Sequence, residues 1–189
     1  MAVDSEGRLE WAARRDSPFF NERPEGMPVD LVVVHFISLP PGVFSGGDVE
    51  RLFTGTLDTG AHPFYAGLEG LEVSSHFFIR RDGSVLQFVP IGKRAWHAGR
   101  SVFHGRSGCN DFSVGIELEG DEKTPFTDAQ YDSLSRVVAE LREVLPIRFV
   151  TGHEFIAPGR KIDPGPFFDW KRLETLLGPD LTVETTPQA

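Results

Sequence analysis

The chain has a single cysteine, Cys109, so no disulfide can close within it. With no CxxC partner, that residue reads as a small buried side chain and not as a thiol nucleophile. Positive charge is also scarce. Nineteen lysines and arginines face 28 acids, a formal net charge of −9. This balance disfavours a nucleic-acid binder or a protein drawn to anionic membranes, because both depend on attraction to phosphates. A small anionic substrate stays open, since local arginines can override the net charge. No apolar run approaches the roughly 20 residues of a membrane helix. The start, Met1-Ala-Val-Asp-Ser-Glu-Gly-Arg8, lacks a basic segment followed by an apolar one, so no secretory signal is expected and the cytoplasm is the simplest location. There is no internal repeat, and no glycine loop of the phosphate-cradling pattern that would call for an organic cofactor.

What remains is an ordinary soluble composition, 40% hydrophobic and 25% charged over 189 residues. That length suits one domain with a real core. The expected division is a single domain over residues 1–178 and a loose polar tail over 179–189. A monomer is the simplest expectation.

Residues 1–28 are polar and proline-interrupted, with Trp11 and Phe19-Phe20 as anchors. Leu31 to Val34 is a short β-branched run that reads as a strand buried on both faces, with His35 near its C-terminal end. Asp48 to Phe53 reads as a short helix, and Thr54 to Gly70 as a long surface loop. Ser74 to Arg80 and Ser84 to Val89 are strand-like around an Arg81-Asp82-Gly83 turn. Lys93 to Asn110 has no periodicity and reads as loop. Phe112 to Leu118 alternates as a strand, with Ser113, Gly115, Glu117 and Glu119 on one side; an acid there is exposed or lines a cleft. Thr127 and Gln130 form a capping box for a helix over about Asp128 to Val144. Ile147 to Val150 is another strand, and Asp169 caps a final helix carrying Trp170, Leu173, Leu176 and Leu177. The mixture predicts an α/β or α+β fold, a central mixed β-sheet flanked by helices.

His153 and Asp163 flank a Pro/Gly-broken loop that can turn an imidazole and a carboxylate toward one cation. His35 is the candidate third ligand. Two histidines, a carboxylate and one open position make up a catalytic zinc site, whereas magnesium and calcium prefer all-oxygen shells. Position and residue type alone leave the duller reading open, in which the histidines are merely hydrogen-bonded and Asp163 caps a turn. Alternation likewise does not choose between Glu117 and Glu119 as a general base. His76 reads as structural.

Val34-His35, Ser38-Leu-Pro-Pro-Gly42, Arg80-Arg-Asp-Gly83, Arg94-Ala-Trp-His-Ala-Gly99, Cys109-Asn-Asp-Phe-Ser-Val-Gly-Ile-Glu-Leu-Glu-Gly120 and Thr151-Gly-His153 to Lys161-Ile-Asp-Pro-Gly-Pro166 together resemble the zinc N-acetylmuramoyl-L-alanine amidases. The likeness runs in order over about residues 11 to 177, and is greatest to the cytoplasmic branch acting on 1,6-anhydro-N-acetylmuramyl substrates. It implies a peptidoglycan-recognition type of fold and a zinc ion on His35, His153 and Asp163. It further implies a muropeptide substrate cut between N-acetylmuramic acid and L-alanine during cell-wall recycling. By the same resemblance Glu117 is the base and Lys161 steadies the oxyanion. Trp96 and His97 are candidates for a sugar-facing wall, with core packing as the duller alternative, and His97 is an alternative acid for the leaving amine; by the resemblance, Arg106 pairs with a peptide carboxylate. Phe36 and Glu72 stand where the relatives carry asparagine and arginine, which removes two polar contacts to the stem peptide. The rival readings are a non-catalytic peptidoglycan-binding module, an amidase of intact murein outside the cytoplasm, and an interaction domain with structural histidines.

Overall fold

The computed structural model describes residues 3–188. Its strands in chain order are β1 (Ala13–Arg14), β2 (Phe20–Asn21), β3 (Leu31–Ile37), β4 (Phe77–Ile79), β5 (Val85–Gln87) and β6 (Arg94–Ala95). They continue with β7 (Val102–Phe103), β8 (Arg106–Ser107), β9 (Ser113–Glu119), β10 (Phe149–Gly152) and β11 (Thr182–Glu184). The helices are α1 (Asp48–Phe53), α2 (Asp128–Arg142), α3 (His153–Ile156) and α4 (Trp170–Leu177). Seven strands form the central sheet in the order β1-β5-β4-β9-β3-β10-β11. Strands β4, β9, β3, β10 and β11 run parallel, and the β4–β5 hairpin reverses direction. Gly83 closes that hairpin at φ +83°, a conformation side-chain-bearing residues rarely adopt. The expected mixed sheet with flanking helices is present.

The two sheet faces have different occupants because a strand's side chains alternate. Val32, Val34, Val114, Ile116 and Leu118 meet Leu134, Val137, Val138 and Leu141 of α2 in one continuous core. Each such burial is worth about 1.5–3 kcal/mol. Helix α2 starts where its capping box predicts: Thr127 accepts from the Gln130 amide, and the Gln130 side chain accepts from the Thr127 amide. Asp169 caps α4 through the Arg172 amide. On the opposite face Leu31 and Val33 pack with Ala98, Phe103, Cys109, Phe112 and Ile156, while α1 covers Phe78 and Leu86. The N-terminal anchors hold as expected. Trp11 packs on the core and donates to Glu140, and Phe20 packs beside α1.

Four local readings are corrected. Strand β3 continues to Ile37, so His35 lies within it; the parallel pairing with β9 carries the extended backbone past the β-branched run. The stretch read as loop at 54–70 holds a 3-10 turn, Pro63–Leu68, which Tyr65 ties to Asp48 of α1. Lys93 to Asn110 contains three short strands and a 3-10 turn at Cys109–Asp111 rather than plain loop. The tail expected to be loose after Gly178 instead adds β11 to the sheet edge beside β10, and its Thr182 amide donates to Arg148. Unpaired edge groups on β10 supply the partners that a polar tail sequence does not advertise. Among the described residues no helix is long and apolar enough to cross a membrane.

Candidate metal centre and cleft

Three neighbouring parallel strands deliver the site at their C-terminal ends. His35 projects from β3, and Glu117 stands opposite it in register on β9. Strand β10 pairs with β3 on the other side and ends at Gly152, so His153 opens α3 beside His35. The chain then loops back, and the Glu154 amide donates to the Asp163 carbonyl at 2.8 Å, which fixes the returning loop. Gly152 makes the return feasible: a Cβ there would meet Pro164 at 2.8 Å and Trp170 at 2.9 Å.

His35 Nδ1, His153 Nδ1 and Asp163 Oδ2 form a triangle with edges of 3.0, 2.8 and 3.0 Å. All three residues are buried. The far sides of the rings decide what faces this centre. His153 Nε2 lies 3.0 Å from the Ala98 carbonyl, which only accepts, so the His153 proton is on Nε2. His35 Nε2 lies 2.9 Å from His97 Nδ1, and His97 Nε2 lies 3.2 Å from Ser113 Oγ. The one Ser113 hydroxyl proton goes to the Cys109 carbonyl at 2.6 Å. Ser113 therefore accepts from His97 Nε2, His97 Nδ1 accepts from His35 Nε2, and the lone pair of His35 Nδ1 turns inward. Burial keeps the His35 and His97 rings neutral: His35 is lowered to about 4 by desolvation and then by His153, and His97 lies well below the ordinary range, mainly by desolvation. Two imidazole lone pairs and a carboxylate oxygen thus converge, and neither ring places a proton between them. This fits a cation and fits little else, and the N,N,O donor set is one a zinc ion accepts.

A cleft of about 700 Å³ opens over the trio. Phe36, Pro41, Phe64, Leu71, Trp96 and Ile162 give it apolar walls, and Glu117 and Lys161 line it too. Glu117 Oε2 is buried with no hydrogen-bond partner. Burial, followed by the Asp163 charge, raises its carboxyl well above the ordinary range against the pull of Lys161. A buried, unpaired carboxylate facing a cleft is costly to keep, and such groups cluster at sites of proton transfer. Lys161 is exposed on the rim and forms no ion pair with the described residues.

The structure brings His35, His153, Asp163, Glu117, Lys161 and Trp96 to one place. The Trp96 indole is set by a 2.9 Å bond from Nε1 to Asn21 and by stacking on Phe19. Two expectations are corrected. His97 lines the cleft, but both its ring nitrogens are committed to His35 and Ser113, leaving neither as an acid for a leaving amine. Arg106 is outside the cleft: it donates to the buried Asp30 at 3.0 Å and lies over the Phe112 ring at 4.0 Å, because Asp30 needs a cation more than solvent does. Glu119, the other candidate base, is neither exposed nor in the cleft. It accepts from the backbone amides of Ser45 and Arg81, stapling two loops. His76 is structural, as expected, with Nδ1 accepting from Gly115 and Nε2 facing the Lys93 carbonyl. Cys109 is fully buried, and burial pushes its thiol up to about 11, so it is no nucleophile.

Sequence reasoning missed Ser113, Asn110 and the Ala98 carbonyl. One signal was available: a glycine inside a buried strand marks a close approach. A Cβ on Gly115 would lie 2.4 Å from the His97 ring.

The chain and its fold are similar to those of known proteins. Residues 25–166 match the N-acetylmuramoyl-L-alanine amidase family. The 1,6-anhydro-N-acetylmuramyl-L-alanine amidase AmpD of Citrobacter freundii is 51% identical over 188 residues, 98% of this chain and 100% of that protein. A crystal structure of a selenomethionine AmpD derivative superposes with a TM-score of 0.89 at 51% identity, covering 94% of this chain and 100% of the other. The Escherichia coli amidase AmiD, solved in complex with the substrate anhydro-N-acetylmuramic acid-L-Ala-D-gamma-Glu-L-Lys, is 28% identical with a TM-score of 0.58. That match covers 82% of this chain and 60% of AmiD.

Proposed function

The chain belongs to the N-acetylmuramoyl-L-alanine amidase family, and from that premise we propose that its cleft hydrolyses anhydromuropeptides during cell-wall recycling. The bond cut is the amide between the lactyl group of 1,6-anhydro-N-acetylmuramic acid and the L-alanine of the stem peptide. His35, His153 and Asp163 hold a zinc ion. The observation that carries this reading is the convergence of two bare imidazole nitrogens and a carboxylate oxygen under an unpaired Glu117 carboxyl, in a chain alike throughout its length to AmpD.

A zinc ion bound there supplies polarisation of the amide carbonyl and acidification of water to a pKa near 7. The chain's own groups do the rest. Glu117 takes the proton of the attacking water and returns it to the alanine nitrogen as the C–N bond breaks. Its raised affinity for protons suits both steps. His97 is not needed as an acid, since its nitrogens are engaged elsewhere. The Lys161 ammonium faces the developing oxyanion, a contribution of about 3–4 kcal/mol by analogy with removal of one oxyanion donor. The Trp96 face and the apolar wall take the pyranose ring and exclude water. A cytoplasmic location and a monomeric state belong to the same proposal.

The test is mass spectrometry of products after incubating purified protein with an anhydromuropeptide, before and after chelation and zinc restoration. Release of free L-alanyl peptide, lost with the chelator and regained with zinc, supports the reading. No cleavage by zinc-loaded protein would sink it in favour of a binding module or of an amidase for intact murein, which sacculi would then distinguish.

A further inference from the structure

One dipeptide, His97-Ala98, touches both metal histidines, and it comes from a segment that provides no ligand. The His97 ring meets His35 Nε2, and the Ala98 carbonyl meets His153 Nε2. The dipeptide is itself clamped. Asn110 Oδ1, buried, accepts from the His97 amide at 3.2 Å and from the Ala98 amide at 2.8 Å. Ser113, which accepts from the far nitrogen of His97, is fully buried on β9. Gly115 of the same strand leaves the gap in which the His97 ring lies.

We propose that His97, with Asn110 and Ser113 behind it, is a positioning residue that fixes the tautomer of the metal histidines before any ion arrives. The proton path is directional. The Cys109 carbonyl takes the Ser113 hydroxyl proton, so Ser113 takes the His97 Nε2 proton and His97 Nδ1 takes that of His35 Nε2. Reversal at any link would set two donors or two lone pairs against each other. His35 is therefore held with Nδ1 bare, and the Ala98 carbonyl does the same for His153. A free imidazole interconverts between two tautomers, and one of them points a proton at the ion. Fixing the productive one, together with the ring orientation, is what outer partners of metal histidines do. This inference rests on the metal reading above and adds to it which residues make the site ready.

Two measurements test it, and one needs no metal. In the metal-free protein, long-range proton–nitrogen correlation of the imidazoles should find His35 and His153 both protonated at Nε2. In His97→Leu, which removes the acceptor, the His35 signals should become those of a tautomer mixture while those of His153 stay. Zinc affinity, read by competition with a chromophoric chelator, should fall about 10- to 100-fold in that variant. His97→Asn puts a carbonyl oxygen near the place of Nδ1 and should keep affinity close to the parent's. It also serves if the leucine variant does not fold. Ser113→Ala should release His97 to either tautomer and weaken zinc binding in the same direction. A parent His35 protonated at Nδ1 would overturn the proposal, as would a His97→Leu protein with parental zinc affinity and an unchanged His35 pattern. If the parent takes up no zinc, the metal reading fails, and the tautomer spectra still decide this one.

Discussion

Glu117 and His35 face each other across the parallel pairing of β9 and β3, so both side chains leave the sheet on the same side beneath the cleft. The next acid on that face, Glu119, pairs with Ile37 and turns to the backbone amides of two loops. Equal alternation thus has unequal consequences. Glu117→Ala should keep zinc at one equivalent per chain and lose turnover by at least about a hundredfold, the lower end of a general acid–base contribution. Glu119→Ala should keep zinc and the chemistry but lose about 2–3 kcal/mol of stability, because two amides lose a charged acceptor. Metal analysis, steady-state kinetics and urea unfolding of the pair decide it. An active Glu117→Ala beside an inactive, stable Glu119→Ala would reverse the assignment.

Asp163 sits against two imidazole lone pairs, an arrangement that favours an ion and burdens the protein without one. Zinc should raise the melting temperature of the parent by mass action, about 2.7 kcal/mol at a hundredfold excess over its dissociation constant. His153→Ala should abolish that shift together with activity. Asp163→Asn brings an amide donor to the lone pairs, so its metal-free form should melt at or above the metal-free parent while zinc binding is lost. A metal-free Asp163→Asn protein much less stable than its parent would show that the trio is held by ordinary hydrogen bonds. Calorimetry with and without chelator reads all three proteins.

The fold was legible where local chemistry repeats. The capping box of Thr127 and Gln130, the spacing of Leu134, Val137, Val138 and Leu141, and the turn at Gly83 each carry their own geometry. The candidate metal trio was legible only by residue type and family motif. Its convergence depends on β10 lying beside β3, a pairing between segments more than a hundred residues apart that no periodicity announces. The residues around the trio were not legible at all. His97, Ala98 and Asn110 lie in a stretch without a repeat, and their roles come from backbone carbonyls and amides that look alike in every sequence. Arg106 misled for a related reason: its partner Asp30 is 76 positions away, and nothing local marks it as the stronger attraction.

Arg106 therefore carries a prediction opposite to its family-based role. Arg106→Met should leave KM for an anhydromuropeptide unchanged, because the guanidinium lies on Asp30 and the Phe112 ring. Asp30 keeps Arg148 at 3.1 Å, and the arginines are partly exposed to solvent, so the loss should be modest, about 1 kcal/mol. A several-fold rise in KM with unchanged stability would return the residue to the substrate.

His76 sets the sign of a pH effect that the metal does not share. It is fully buried, and its pKa is lowered from 6.5 to about 3 by desolvation and by the Arg23 guanidinium, against a small opposing bond to the Lys93 carbonyl. The unfolded chain therefore takes this proton first as pH falls. Between pH 6.5 and about 3 the unfolded state binds the extra proton, so this residue's contribution to stability is whole above 6.5 and is lost on acidification. The slope approaches about 1.4 kcal/mol per pH unit for one proton. His76→Asn keeps an acceptor for the Gly115 amide and loses the bond to Lys93, so it should be about 1 kcal/mol less stable at pH 8. It has no proton to gain. Urea unfolding of parent and variant from pH 8 to pH 4 should therefore give curves that approach and cross as the parent weakens. Parallel curves through that window would mean that the folded protein can protonate His76 where it lies.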